Sequence, residues 1–461
     1  MTILLTHGYF IAEDEREQAI MKPYPPLGIL GIAAFLREHG RTPEVFDSTF
    51  SSADALIARI TATRPDILGI YTNLMTRPRI VELIARIRAD HALNGTRIVL
   101  GGPEITHHVE RFLAHGADIL VIGEGEETML ELVEALESGR PLEEVHGIAF
   151  RDDEGRTITT PPRALVRSLD TLPRPARDLI DIDAYQNAWR GRHGRSAVSV
   201  STMRGCPYSC RWCSRAVYGS SYRRRSPAVV VEEILHIRET YRPDSLWFVD
   251  DVFTISPVWM RGFAEEIVRR DAVVPYECIT RADRLNLEMI ELLVRSGCYR
   301  VWIGAESGSQ KILDAMDRRV TVEQVREMMR LGREHGLETG TFIMLGYPGE
   351  TEEDIIETIE HLKACRPDHF TVTTAYPIAG TPLYQEVESD IVAPPPWEAS
   401  TDRDLTFTRP YSETYYRHAL RRLYSEVALD RLEREGGSLI DRSLLAMKIT
   451  VSRVGMRMAR R

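Results

Sequence analysis

Short apolar runs alternate with helical patterns twice along this chain, over residues 1 to about 140 and again from Ala197 to about Thr374. Such alternation marks βαβ units, whose right-handed crossovers force parallel sheets covered by helices. The fold class is therefore α/β, and 461 residues are too many for one ordinary core. In the first run the expected strands are Thr2–Thr6, Pro43–Asp47, Ile67–Thr72, Arg97–Gly101 and Ile119–Ile122. Helices are expected near Leu27–His39, Ser52–Thr63, Arg77–Asp90, Thr106–Ala114 and Glu126–Glu137. These units suit a flavodoxin-like, doubly wound sheet, in which ligands bind beyond the strand carboxyl ends. The loops there are Thr6-His-Gly8, Tyr71-Thr72-Asn-Leu74, Gly101-Gly102-Pro-Glu104 and Gly123-Glu124-Gly-Glu126. In the second run the strands are Ala197–Thr202, Ser245–Asp250, Tyr276–Thr280, Arg300–Ile303, Thr339–Met344 and His369–Thr374. They suit a partial (β/α)6 relative of the (β/α)8 barrel, with active residues on the loops after the strands.

Between the two runs, His146–Gly155 has a hairpin pattern with an Asp-Glu-Gly turn, and Thr160-Pro-Pro162 and Leu172-Pro-Arg-Pro175 impose extended backbone. The expected organisation is a first domain over 1–140, a linker over 141–195, the partial barrel over 196–385 and a small, mainly helical segment over 386–461. That last segment includes a helical pattern over Tyr416–Glu433.

The first barrel strand runs into Met203-Arg-Gly-Cys-Pro-Tyr-Ser-Cys-Arg-Trp-Cys-Ser214. Its spacing, C-x3-C-x2-C, puts Cys206, Cys210 and Cys213 in one short loop at the barrel mouth. Three close thiolates can hold three irons of a cubane cluster and leave the fourth open, which is what catalysis requires. Structural zinc would need a fourth Cys or His at paired spacing, and the nearest downstream histidine, His236, sits in a helical pattern. Cys278, Cys298 and Cys365 are too scattered for a second cluster and read as buried free thiols.

Composition narrows the setting. Six cysteines and no basic, apolar leader speak against a secreted disulfide framework and for a reducing cytoplasm. No run of about 18 apolar residues would span a membrane. A net charge of −10 argues against a general nucleic-acid binder. The run Lys448–Arg461 is basic and amphipathic, with Val451, Val454, Met456 and Met458 among arginines. It reads as a solvated terminal helix, with contact to a membrane surface as the lesser alternative. His7 is expected to hydrogen-bond the next loop, and His107 and His108 to be exposed near a helix start.

The cysteine motif and its flanks resemble the radical S-adenosylmethionine (radical SAM) superfamily. That resemblance implies a [4Fe–4S] cluster on Cys206, Cys210 and Cys213, with S-adenosylmethionine on the open iron and cleaved by one electron to a 5′-deoxyadenosyl radical. It also places Asp250 or Asp251 at the cofactor's ammonium group, although helix capping would explain the same carboxylates. Arg281 becomes a fork for the cofactor carboxylate, with a surface salt bridge as the plainer role. Glu306, in Gly304-Ala-Glu-Ser307-Gly308, would take a ribose hydroxyl or the ammonium group. Gly346, in Gly340–Glu350, would let the backbone approach adenine, and Tyr208 and Trp212 would pack on adenine or cover the cluster.

Residues 1 to about 140 resemble the cobalamin-binding domain that precedes the barrel in one large subgroup, on the Pro25-Pro-Leu-Gly28, Gly101-Gly102-Pro103 and Gly123-Glu-Gly-Glu126 turns. Thr72, Leu74, Gly101, Gly102, Gly123 and Glu124 are the implied contacts. The Asp-x-His-x-x-Gly loop that supplies a histidine to cobalt is missing, so cobalamin would be held without one. The implied function is a radical reaction at an unactivated C–H bond of a small natural-product intermediate, with cobalamin-dependent C-methylation ahead of radical dehydration, cyclisation or rearrangement. A flavodoxin or ferredoxin would supply the electron. A sensor that has lost its chemistry is disfavoured by the complete cysteine triad. A transfer-RNA methylthiotransferase is disfavoured because the chain has neither a second cluster triad nor a basic appendage.

Overall fold

The computed structural model describes residues 1–460. The first sheet has seven strands in the order β2-β1-β3-β4-β5-β6-β7. Its parallel part comprises β1 (Ile3–His7), β2 (Glu44–Phe46), β3 (Ile67–Tyr71), β4 (Arg97–Gly101) and β5 (Ile119–Val121). The order 2-1-3-4-5 is the flavodoxin-like one, with the topological switch between β1 and β3. Its apolar strands are buried on both faces, by Ile60, Ile84 and Phe112 on one side and by Ile29, Ala33 and Leu132 on the other.

The hairpin expected in the linker belongs to this sheet. β6 (Ile148–Arg151) runs antiparallel to β5, pairing Ile148 with Val121, and β7 (Thr157–Thr159) closes the edge. Ile148 and Phe150 are buried on the Ile29 side, so the sheet needed their surface covered more than the chain needed a spacer. The linker also contains the helix Ile182–His193, capped by the Asp181 side chain.

Short β9 (Met203–Arg204) and β10 (Arg223–Arg224) form an antiparallel ribbon. The second large sheet has the order β15-β14-β13-β12-β11-β8, with every neighbouring pair parallel. It uses β8 (Ala197–Val200), β11 (Ser245–Phe248), β12 (Tyr276–Thr280), β13 (Cys298–Glu306), β14 (Glu338–Leu345) and β15 (His369–Thr374). Six parallel strands with helices on one side make the expected open half-barrel, and its core is continuous from Val198 to Leu423. β13 runs past its expected end and carries a register shift between Gly304 and Glu306. Glu306 there has φ 66°, an uncommon left-handed conformation for a residue with a side chain.

Two antiparallel helices, Glu413–Glu435 and Leu439–Met458, follow the half-barrel. Among the described residues no helix is long and apolar enough to cross a membrane. The segment around Trp397–Asp404 returns to the first sheet, where buried Arg77 donates to the Ser400 carbonyl at 2.7 Å and pairs with Asp402 at 3.0 Å and with Glu104. His108 joins this group and packs on Trp397, so it is not exposed; burial, reinforced by Arg77, lowers its pKa to about 4. Glu104, His108 and Asp402 are close enough to suggest a metal site, but the Arg77 guanidinium already supplies the cation. His107 is exposed as expected. His7 meets the next loop as expected, at 3.0 Å from Asp47.

Candidate functional site

The cysteine loop leaves the half-barrel along β9 and returns along β10, so Arg204 pairs with Arg223 at its neck. Gly205 makes that neck possible: its φ is 80°, and a Cβ there would lie 2.2 Å from the Ser221 carbonyl oxygen. The far side of the loop is pinned by backbone bonds from Arg211 to Met316 (3.1 Å) and from Leu383 to Arg211 (2.9 Å). Cys210 is buried, while Cys206 and Cys213 are partly open.

Charge around the three thiols is lopsided. Arg281 Nη1 stands 3.5 Å from Cys210 Sγ and Arg318 Nη1 stands 3.8 Å from it. Both guanidinium groups are fixed, Arg281 by Asp283 (2.8 Å) and the Arg318 carbonyl (2.6 Å), Arg318 by the Gly304 carbonyl (2.8 Å). Arg281 also lies 3.9 Å over the Tyr208 ring, a cation–π contact that holds this aromatic inside the loop. On the other side, burial pushes Cys206 up and Cys213 up to about 12, with Asp251 adding to both. Three thiols on one loop, two buried guanidinium donors and one nearby carboxylate suit a cationic metal group, because burying three thiolates needs compensating positive charge.

Several expected cofactor contacts are engaged elsewhere. Asp250 is buried and accepts from the Thr202 and Met203 amides at 2.7 and 3.2 Å, from the Thr202 hydroxyl, and from Arg224 at 3.4 Å. Its carboxylate holds the start of the cysteine loop and does not line the cavity described below, and the next helix is capped by Ser256 rather than by either acid. Asp251 does face the cavity described below. Arg281 points at Cys210, as above, and is neither a surface salt bridge nor free to fork a carboxylate. Ser307 bonds Thr358 at 3.2 Å and Ser309, which ties β13 to the helix Glu352–Cys365. Gly346 donates to Glu350 at 2.6 Å and lies under the Arg409 side chain, so protein atoms occupy the approach expected for adenine. Trp212 packs on the cluster of Ile312, Met316, Tyr347 and Leu383 beside the loop. Glu306 is half-buried and its carboxyl is raised by desolvation, with Arg318 at 3.8 Å opposing the shift.

A cavity of about 490 Å³ opens between the two large sheets. The strand ends of the first sheet line one side, with Tyr71, Gly101, Gly102 and Gly123. Cys206, Tyr218 and Asp251 line the other. Among the described residues, no histidine lines it. A Cβ at Gly102, φ 108°, would meet the Thr72 carbonyl oxygen at 2.3 Å, so this glycine serves the close approach of the loop after β4 to the end of β3. Thr72 and Leu74 do not line the cavity; Leu74 faces a neighbouring one with His107 and Tyr376. Glu124 reaches the rim, but both its oxygens are taken, by Arg204 (2.7 Å), Arg223 (2.7 Å) and the Val166 amide (2.7 Å). Burial alone would raise Glu124, yet the arginine hydrogen bonds outweigh it and hold the carboxyl below the usual range.

Sequence reasoning missed the arginines. The run Arg223-Arg224-Arg225 directly after the cysteine loop was the available signal. Its members diverge to three buried acids: Arg223 to Glu124 of the first sheet, Arg224 to Asp250, and Arg225 to Glu233, which Arg177 also pairs at 2.7 Å. Arg204 adds bonds to Glu124 and Glu126, so the neck of the cysteine loop is bolted to the first sheet through charge.

Residues 200–362 match the radical SAM superfamily, and residues 20–133 match the B12 binding domain. An uncharacterized methyltransferase of Pyrococcus horikoshii is 30% identical over 371 residues, covering 78% of this chain and 78% of that protein. The anaerobic magnesium-protoporphyrin IX monomethyl ester cyclase of Rubrivivax gelatinosus is 27% identical over 379 residues, covering 79% of this chain and 66% of the cyclase. The radical S-adenosylmethionine methyltransferase TsrM of Kitasatospora setae, solved with cobalamin and a [4Fe-4S] cluster bound, shares the fold. Its TM-score is 0.69 at 20% identity, over 84% of this chain and 75% of TsrM.

Proposed function

The chain belongs to the radical SAM superfamily, in the branch with a B12-binding domain ahead of the radical SAM region, and on that premise we propose that it methylates an unactivated carbon of a small molecule with the help of cobalamin. The observation carrying this reading is the single cavity bounded both by Cys206 and Asp251 and by the strand-end glycines of the first sheet. A methyl carrier and a radical source must meet within one enclosed space, and this is where the two halves of the molecule face each other.

In this reading Cys206, Cys210 and Cys213 would hold three irons of a [4Fe–4S] cluster and leave the fourth open to S-adenosylmethionine. When bound, these groups and cobalamin supply a carbon-centred radical and a transferable methyl group. The chain's own residues do the rest. Arg281 and Arg318 offset thiolate charge at Cys210, and Tyr208 stiffens the loop. Asp251 and Glu306 are the acids left to meet a cationic cofactor. Tyr71, Gly101 and Gly123 offer a largely apolar wall for a corrin. An electron donor such as a flavodoxin or ferredoxin, in a reducing cytoplasm, completes the reading.

Anaerobic purification from cobalamin-supplied cells tests it: about one cobalamin and one four-iron cluster per chain, and transfer of label from methyl-labelled S-adenosylmethionine, are expected. The similarity to the ester cyclase favours a second reading, a radical cyclisation or dehydration without methyl transfer. Cleavage of S-adenosylmethionine to 5′-deoxyadenosine that persists in protein made without cobalamin would select it.

A further inference from the structure

The helix Leu439–Met458 buries one face and leaves the opposite one bare. Ile449, Ser452 and Met456 face the helix Glu413–Glu435, and the Ser412 hydroxyl and the Ala459 carbonyl tie the far end down. On the other side Ile440, Leu444, Met447, Val451, Val454 and Met458 are 73, 50, 63, 52, 50 and 83% exposed. Their spacing of 4, 3, 4, 3 and 4 residues keeps them in one stripe, roughly 27 Å long at ~1.5 Å per residue. Leu439 adds exposed apolar surface beside it at the helix start, 77% exposed. Water contact along so long an apolar stripe is unfavourable, and soluble surfaces rarely carry one without an occupant.

Charge identifies the occupant. The helix carries Arg442, Lys448, Arg453 and Arg457 against Asp441, in a chain of net charge −10. Arg442 caps the preceding helix by donating to the Leu432 carbonyl, and Arg453 pairs with Glu426 at 3.0 Å. Lys448 and Arg457 are exposed and have no acidic partner among the described residues; at 100° per residue they flank the stripe on opposite sides. The same 3–4 spacing would suit a coiled-coil seam with a second copy. That pairing, however, would bring Lys448 and Arg457 to the flanking positions, with Asp441 as the one acid there to balance them. An apolar face with cationic shoulders matches instead the boundary between acyl chains and anionic headgroups. We propose that the helix Leu439–Met458 docks this protein on an anionic phospholipid bilayer, apolar stripe down, with Lys448 and Arg457 at headgroup level. Docking there is peripheral and independent of the reaction proposed above.

The test uses the full-length, cluster-reconstituted protein and sedimentation with vesicles, either phosphatidylcholine alone or phosphatidylcholine mixed with phosphatidylglycerol. Binding to the mixed vesicles, weakened by salt, is expected. The triple change Leu444→Glu, Met447→Glu and Val451→Glu and the double change Lys448→Glu and Arg457→Glu should each lower apparent affinity roughly tenfold or more. Both variants alter only exposed positions, so unchanged circular dichroism and iron content should show that the fold is intact. Absence of wild-type binding, or binding that neither variant weakens, overturns the proposal. So does a wild-type dimer in sedimentation velocity that the triple variant dissolves, since the stripe would then belong to a second copy.

Discussion

Arg281 Nη1 stands 3.5 Å from the sulfur of Cys210, with its guanidinium carbon 3.9 Å over the Tyr208 ring. Arg318 approaches the same sulfur at 3.8 Å. Donors aimed at one thiolate of three pull electron density from it and favour the reduced, more negative state of a bound cluster. Arg318→Met should therefore shift the cluster potential to more negative values with iron content retained, as read by anaerobic redox titration. An unchanged potential would mean that Arg318 serves only the Gly304 backbone.

Cys210→Ala, Cys206→Ala and Cys213→Ala should each abolish cleavage of S-adenosylmethionine. Two thiolates cannot hold a cubane whose fourth iron must stay open. Iron analysis and 5′-deoxyadenosine production decide the point, and a Cys210→Ala protein that still makes 5′-deoxyadenosine would remove the assignment.

Adjacent acids should part company. Asp250→Ala strips a buried partner from Arg224 and from the Thr202 and Met203 amides. Leaving such charge unpaired costs about 3–5 kcal/mol, so the expected readout is a lowered melting temperature together with lost iron. Asp251→Ala should instead leave the melting temperature nearly unchanged and weaken S-adenosylmethionine binding, measured by calorimetry on reconstituted protein. Equal melting temperatures for the two variants would contradict the clamp role of Asp250.

Glu350 should make stability fall with rising pH. It is fully buried, accepts from Gly346 at 2.6 Å through Oε2, and leaves Oε1 without a partner. Burial pushes its carboxyl up from 4.5 to about 8. The folded state thus holds a proton that the unfolded chain releases, so its contribution is complete below the unfolded value and disappears as pH rises through the folded one. Glu350→Gln stays neutral throughout. Between about pH 5 and 8 the wild type should lose up to ~3 kcal/mol that the variant keeps, by urea melts at each pH. Parallel curves for the two proteins would refute the buried, protonated carboxyl.

Cobalamin bound in the cavity should have no histidine ligand from the protein, since none lines it among the described residues. Electron paramagnetic resonance of the Co(II) state should show no superhyperfine splitting that changes when the protein's histidines are labelled with nitrogen-15. A splitting pattern that changes on that labelling would show that a histidine reaches the metal after all.

Local rules made much of this molecule legible from residues alone. β4 at Arg97–Gly101, β12 at Tyr276–Thr280 and β15 at His369–Thr374 lie where apolar runs meet turn residues, because strand length and turn chemistry are both local. The cysteine triad was legible for the same reason: its chemistry requires three thiols on one loop, so the spacing itself is the signal. Register and partnership are not local. Nothing near Ile148 says that it pairs with Val121, and the gain from covering a sheet edge arises only once β5 exists. Asp250 and Asp251 are neighbours of the same type, yet the bend after β11 turns one toward Arg224 and the other toward the cavity. Arg223, Arg224 and Arg225 look alike in sequence, and only packing sends them to Glu124, Asp250 and Glu233. The sequence by itself determined the two βα architectures and the thiols of the site. The tertiary structure alone decided which charges face them, because buried charge must find a partner wherever the fold brings one near.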